Sequence, residues 1–400
     1  MNICFFACFP MIPYEGGVQR VTTILSRELS KRGYGIVYLF YSEERKHKLN
    51  NPAIEFPQYY LDVTSNDDNT VKESIERFIR KHQIDIIINQ TPEEQGCWIL
   101  KMISDAVPVV SVCHVVPFLE HRCTRSTILR EFPYDSLKLV CYKVIALLSP
   151  WFYRKYAIKK SRQLYYRVLQ CSEAFVFISE RYFPRIMHYM PDFPKEKLKA
   201  INNPTSFDNS PCNYSDKKNI ILWVGRVDTN KNCIDFLKAW RSFSQNNPDW
   251  KAVVAGDGQE LNKCKKYVEK HKLVNISILG YCKDVTKLYM EAKLFVSTSF
   301  GESWGMSLTE AMSMGCVPCV YNTYETLADI VDDDIDGLLC DPMPDSLAEK
   351  LGVLAADENK MHKMMVNVQH KVKRYEVTRI CVQWEDLLNN IVSNREYRKQ

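Results

Sequence analysis

The chain has 400 residues, 46% of them hydrophobic and 25% charged, with a formal net charge of +5. Such a chain can fill two ordinary domains, each with its own core, and its composition excludes a disordered or fibrous protein. No stretch approaches the roughly 18 uninterrupted apolar residues of a membrane span, so nothing in it is expected to cross a bilayer.

The opening MNICFFACFPMIP has no basic leading region and carries Pro10 and Pro13 before a periodic helix, so it reads as a first buried strand rather than a secretory leader. After the turn PMIPYEGG, Val18, Val21, Ile24, Leu25 and Leu29 fall at helical spacing, Gly33 closes the helix, and IVYLFY forms the next strand. IDIIINQ (84–90), VPVVSVCH (107–114) and AFVFIS (174–179) are short continuous apolar runs, the pattern of parallel strands buried on both faces. These segments predict a first α/β domain over residues 1–205.

Inside that domain lies an insertion-like window, 122–168, with eleven Lys or Arg against Glu131 and Asp135. Its net charge is +9, which leaves −4 for the rest of the chain. The basic residues alternate with Trp151, Phe152, Tyr153, Tyr156, Tyr165 and Tyr166. A basic and aromatic face suits an anionic membrane surface, and it equally suits helices that pack their aromatics inward beneath a solvated charged face. No nucleic-acid recognition module is visible, so nucleic acid is not an expected partner.

The stretch NNPTSFDNSPCNYSD (202–216) has no periodicity and reads as a linker. A second alternation follows: NIILWVG, a helix around Ile234 to Phe243, WKAVVAGDG, a helix, NISILG, a helix, LFVSTS, a helix and CVPCVY. It predicts a second α/β domain over 206–375, with glycines at 225, 256, 258, 280 and 301 after the strands, where open parallel sheets bind ligands. Ile380, Trp384, Leu387, Leu388 and Ile391 form an apolar stripe, which predicts a terminal helix over 376–400 that packs back on the first domain. Fifteen cysteines scattered through apolar strands fit a reducing cytoplasm better than a disulfide framework, and the pair Cys316 and Cys319 lacks a second pair at zinc spacing.

Candidate chemistry gathers in two segments. Ser307-Leu308-Thr309-Glu310 spells a helix capping box, in which Glu310 would reach back to the first amide. That pattern leaves Gly301, Glu302 and Gly305 unexplained, and a helix start also offers free amides to an anion. In WVGRVDTNKN, Arg226 and Lys231 follow a strand, where they are either a solvated loop or a clamp for two phosphate groups.

Taken together, VGRVDTNKN, AGDGQE, ILGYCKDV and GESWGMSLTEAMSMGCVPCV stand in the order and spacing of the retaining glycosyltransferases of family 4 type with the GT-B fold. Glu302 and Glu310 resemble that family's E-x7-E motif, and with EGGVQR near the amino terminus the likeness spans nearly the whole chain. The resemblance implies two Rossmann-like doubly wound domains facing across a cleft. By position it implies that Arg226 and Lys231 neutralise the diphosphate of a nucleotide-sugar donor and that the backbone of Met306, Ser307 and Leu308 binds phosphate. Glu310 would accept the ribose hydroxyls, Glu302 would face the transferred sugar, and Gly16 and Gly17 would let the backbone approach phosphates or acceptor. His114 resembles a histidine near the reacting carbon, although a satisfied histidine at a strand end is the plain alternative.

The implied reaction is metal-independent and needs no cofactor: fixed cations and amides stabilise the leaving phosphate, which takes the acceptor's proton while configuration is retained. The expected donor is a UDP-sugar, and the expected acceptor a cell-surface or capsular glycan or a lipid-linked sugar at the inner face of the cytoplasmic membrane. A nucleotide-sugar 2-epimerase and a catalytically silent nucleotide-binding subunit share this architecture.

Two further motifs mislead. DDDIDG (332–337) begins like a calcium loop, but its twelfth position is Met343, so it reads as a solvated acidic turn. Gly256-Asp257-Gly258 has no third glycine at the dinucleotide offset and reads, with Tyr281, as the floor of a nucleotide pocket.

Overall fold

A computed structural model describes residues 1–64, 67–119, 144, 148–207 and 213–399. Part of the basic window (122–143 and 145–147) and the middle of the 202–216 linker (208–212) lie outside the described residues. The chain divides into two compact units, Met1–Ser206 together with Val377–Gln400, and Phe207–Glu376.

The first unit is built on β1 (Asn2–Ala7), β2 (Gly35–Phe40), β3 (Gln58–Tyr60), β4 (Ile86–Asn89), β5 (Val109–Cys113), β6 (Ala174–Phe177) and β7 (Leu198–Ala200). They form one sheet in the order β3-β2-β1-β4-β5-β6-β7, every neighbouring pair parallel. The central strands are buried throughout; Ile3, Cys4, Phe5, Phe6 and Ala7 are each 0% exposed, which is why their sequence shows no alternation.

Helix α1 (Gly17–Lys31) buries Val21, Ile24, Leu25 and Leu29. The chain then turns through Gly33 at a φ of +90° into β2, a conformation that costs a residue with a Cβ. Two further helices of this unit are α2 (Glu94–Lys101) and α3 (Pro150–Cys171). The chain's last helix, Val377–Lys399, also belongs here, because Ile380, Trp384 and Leu388 share one core with Ile3, Phe5, Ile88 and Val176. Arg32 at the end of α1 ties down that helix by donating to Glu385 at 2.6 Å and to the carbonyl of Thr378 at 3.0 Å.

The second unit repeats the plan with β8 (Lys218–Val224), β9 (Lys251–Ala255), β10 (Ile276–Gly280), β11 (Ala292–Ser297), β12 (Val317–Tyr321) and β13 (Leu338–Cys340). Their order is β10-β9-β8-β11-β12-β13, again all parallel. Helix α4 (Cys233–Phe243) lays Phe236, Leu237, Trp240 and Phe243 on a core shared with Trp223, Val254 and Val296. In both units the strand order reverses beside the first strand, between β1 and β4 and between β8 and β11. Loops leaving such neighbours at their carboxyl ends diverge to opposite faces and leave a crevice.

Close approach of the chain's own backbone demands glycine at both ends of the Gly256-Asp257-Gly258 turn. Gly256 has a φ of +153°, and a Cβ there would lie 1.8 Å from the carbonyl oxygen of Gly225; one on Gly258 would lie 2.5 Å from that of Val227. Backbone bonds from Val227 to Asp257 (2.9 Å) and from Glu260 to Val227 (2.9 Å) hold the two loops in this contact. Among the described residues, no helix is long and apolar enough to cross a membrane.

Substituting Gly256→Ala is therefore expected to cost at least about 2 kcal/mol through backbone clash and a forbidden φ, read as a lower urea midpoint with unchanged slope. Gly17→Ala, where an added Cβ meets nothing within 4 Å, is expected to leave the midpoint unchanged or slightly raised.

Candidate functional site

The second unit's crevice is closed by an ion pair. The ammonium of Lys231, in the loop after β8, meets the carboxylate of Glu302, in the loop after β11, and only 19% and 15% of the two side chains is exposed. Backbone geometry places both. Thr298 Oγ1 lies 3.1 Å from the carbonyl of Lys231 and 2.8 Å from that of Asn232, and it accepts from Trp223 Nε1 at 3.2 Å. Asn230 donates through Nδ2 to Gly301 O at 2.8 Å and accepts from the Phe300 amide at 2.8 Å. Asp228 Oδ1 accepts the Lys231 amide at 2.8 Å. The two loops, distant in sequence, thus behave as one rigid rim.

Arg226 stands on the same rim with its side chain 81% exposed and its guanidinium 3.4 Å from Asp228. Beyond Glu302 the chain enters α6 (Met306–Ser313) through Gly305, whose φ of +89° makes it the residue before the first turn. The capping-box expectation is corrected here. Because the left-handed Gly305 caps the helix, Ser307 is its second residue and Glu310 sits two residues too deep to reach back. Glu310 instead is 1% exposed and accepts from the Tyr289 hydroxyl at 3.4 Å. The first amides of α6, at Met306, Ser307 and Leu308, occupy the turn where helices leave donors unpaired, although Leu308 N also reaches Gly305 O at 3.0 Å. Gly256 lies behind the loop after β8, and Tyr281, just after β10, is 63% exposed.

The first unit's crevice holds the other expected residues and some that the sequence did not single out. Gly16 is extended and caps α1, and an added Cβ on Gly17 meets nothing of the protein. His114 follows β5 with Nε2 against Gln90 Oε1, and burial lowers its imidazole to about 4, so the ring is neutral at neutral pH. Tyr41, after β2 and 2% exposed, donates its hydroxyl to Glu93 Oε1 at 2.6 Å. Thr91 Oγ1 accepts the Cys8 amide at 2.7 Å, and burial, more than the neighbouring Glu93, pushes the Cys8 thiol up. The signal for this group was the polar run Gln90, Thr91 and Glu93 directly after an apolar strand.

The acidic turn 332–337 is exposed at Asp332, Asp333 and Asp334, as expected, but holds one buried carboxylate. Asp336 is 2% exposed and accepts the Asp332 amide at 2.7 Å, while Lys371 on α7 (Glu358–Val372) meets Asp332 at 2.5 Å and Asp336 at 3.8 Å. The basic window divides at α3: Tyr165 (6% exposed), Val168 and Leu169 are buried, whereas Trp151 and Tyr156 are 63% and 59% exposed and Lys155 lies 5.2 Å over the Trp151 ring.

Comparison with known proteins adds sequence relatives to this geometry. Residues 15–208 match the family described as Glycosyltransferase Family 4, and residues 208–371 that described as Glycosyl transferases group 1. One relative, from Campylobacter jejuni, is an alpha-1,4-N-acetyl-D-galactosaminyltransferase named for a GalNAc-containing PP-undecaprenol acceptor; it is 32% identical over 194 residues, 46% of this chain and 54% of that protein. Another, the poly(glycerol-phosphate) alpha-glucosyltransferase of Bacillus subtilis, is 26% identical over 203 residues, 50% of this chain and 30% of that protein. The matched part therefore spans about half or less of these curated relatives. In fold, the chain resembles Anabaena HepE solved in complex with UDP, with a TM-score of 0.70, 16% identity and coverage of 98% of this chain and 100% of that one. Two adjoining family matches that run from residue 15 to residue 371, on two parallel sheets of this order, make the chain a member of the GT-B glycosyltransferases of family 4 type.

Proposed function

We propose that the protein is a retaining, metal-independent glycosyltransferase that moves a sugar from a UDP-sugar to a glycan or lipid-linked acceptor in cell-surface polysaccharide synthesis. The observation that carries this reading is the Lys231–Glu302 pair on a rigid rim beside the start of α6. In the proposed complex Arg226, with its largely exposed guanidinium, and Lys231 neutralise the diphosphate, and the amides of Met306 and Ser307 complete its cradle. Breaking the anomeric bond leaves negative charge on that phosphate, so cations fixed beforehand lower the barrier. Lys231 has a second partner waiting in Glu302, which can turn its free oxygen toward hydroxyls of the transferred sugar. Glu310 takes the ribose hydroxyls, and the leaving phosphate removes the acceptor's proton on the face it vacates. The bare Gly17 turn leaves room for backbone to approach phosphate or acceptor.

The names of the relatives support the acceptor class: one is named for a polyprenyl-diphosphate-linked glycan and one for a polymer of glycerol phosphate. Incubation with a panel of UDP-sugars and candidate acceptors is expected to release UDP, undiminished by EDTA. Lys231→Ala is expected to lower kcat/KM about 100-fold or more and Arg226→Ala about tenfold, by loss of phosphate stabilisation. Isomerised donor without UDP release would identify an epimerase instead, and neither product a silent subunit.

His114, neutral and bonded to Gln90, would face the reacting carbon as an uncharged group. A folded chain that binds a proton at His114 less readily than the unfolded chain loses stability as pH falls from the ordinary 6.5 toward about 4. The expected loss is about 3 kcal/mol across that window. His114→Asn should remove that part of the pH dependence in urea titrations, and an unchanged profile would refute the assignment.

The exposed tip of α3, with Trp151 and Tyr156 beside Lys155, Lys159, Lys160 and Arg162, fits an anionic bilayer at the inner face of the cytoplasmic membrane. Wild type is expected to float with anionic vesicles, and a variant with the four basic residues changed to Gln to stay behind. Equal flotation of both, or of neither, rejects the idea.

A further inference from the structure

Lys217, just ahead of β8, is 6% exposed. A lysine is rarely buried unless its charge is met. Here the ammonium donates to the carbonyl of Tyr289 at 2.8 Å and to that of Met314 at 2.5 Å, with Cys316 Sγ at 3.7 Å. Met314 caps the carboxyl end of α6, and Tyr289 lies in the last turn of α5 (Thr286–Glu291). A cation at these two helix ends sits where the carbonyl dipoles converge.

Tyr289, itself 0% exposed, extends the connection. Its carbonyl accepts from Lys217 while its hydroxyl donates to Glu310 Oε2 at 3.4 Å. Glu310 belongs to α6, whose end returns to Lys217 through Met314, so the contacts close into a ring: Lys217, Tyr289, Glu310, the last turn of α6, Met314 and Lys217 again. The ring bonds Glu310 from its side-chain end and anchors the helix that carries it from the other.

We propose that Lys217 and Tyr289 are positioning residues that hold the Glu310 carboxylate and the axis of α6 in register with the nucleoside end of the donor. The inference rests on the reading that Glu310 takes the ribose hydroxyls. Removing the ammonium takes the charged donor from the Met314 carbonyl and leaves that of Tyr289 with the weak thiol donor of Cys316 at 3.1 Å, which loosens the carboxyl end of α6. Removing only the Tyr289 hydroxyl leaves the helix anchored and takes one hydrogen bond from the carboxylate.

The two substitutions therefore separate. Calorimetric titration with UDP, 2′,3′-dideoxy-UDP and inorganic pyrophosphate reads them out. Wild type is expected to favour UDP over the dideoxy nucleotide by roughly tenfold or more, the worth of hydrogen bonds to a charged group. Tyr289→Phe is expected to lose most of that preference while pyrophosphate affinity stays within about twofold. Lys217→Met is expected to lose the preference and to weaken pyrophosphate as well, with Lys217→Arg restoring part of both. Should Lys217→Met not fold, Tyr289→Phe decides alone. A wild type that prefers UDP, with a Tyr289→Phe variant that prefers it equally, overturns the brace and leaves the role of Glu310 standing. A wild type without any preference overturns both.

Discussion

A half-buried ammonium and carboxylate, contributed by loops that leave neighbouring parallel strands, are the constraint on which the second unit's crevice depends. Parallel strands end side by side, but their loops diverge, and nothing in a sheet obliges those loops to touch again. Lys231 and Glu302 supply that obligation, and Thr298, Asn230 and Trp223 hold the backbone so that the pair meets without slack. An ion pair of this kind contributes little net folding energy once desolvation is counted. Its structural effect is to join the ends of two loops and to fix an ammonium between them.

In the two units, glycines do two different jobs that sequence alone cannot separate. Gly256 and Gly258 are demanded from within, since any side chain would strike the backbone of Gly225 and Val227. Gly17 faces no atom of its own protein. The first kind makes the scaffold possible, and the second leaves a surface that something else can approach.

The central strands were legible because burial on both faces leaves an uninterrupted apolar run, and the helices between them because one face of each is apolar. The strands Gln58–Tyr60, Leu198–Ala200 and Leu338–Cys340 were not, since three residues at or near a sheet edge carry no period to read. Of the four charged residues expected in the second unit, Lys231 and Glu302 meet, Arg226 stands on the same loop as Lys231, and Glu310 is buried on the following helix against Tyr289. Their local settings were harder. The S-x-x-E pattern at 307–310 was genuine as a pattern, but a positive φ at Gly305 fixed the helix start two residues earlier. DDDIDG is exposed at three of its aspartates, but its buried Asp336 and its lysine partners were not legible, because Lys360 and Lys371 lie on a helix that follows it in the chain. Tyr41 and Glu93 were passed over because a pairing across two strand ends leaves no trace in either segment.

The last helix, Val377–Lys399, gives the architecture an asymmetry in time. Ile380, Trp384 and Leu388 complete the core laid down by β1 and its neighbours, yet the ribosome delivers them only after every strand of the second unit. The half of the molecule that is made first must therefore wait, with apolar surface uncovered, while the half made later can close its own sheet at once. During synthesis the nascent amino-terminal half is the natural client for a chaperone, and its wait ends only when the final turns emerge.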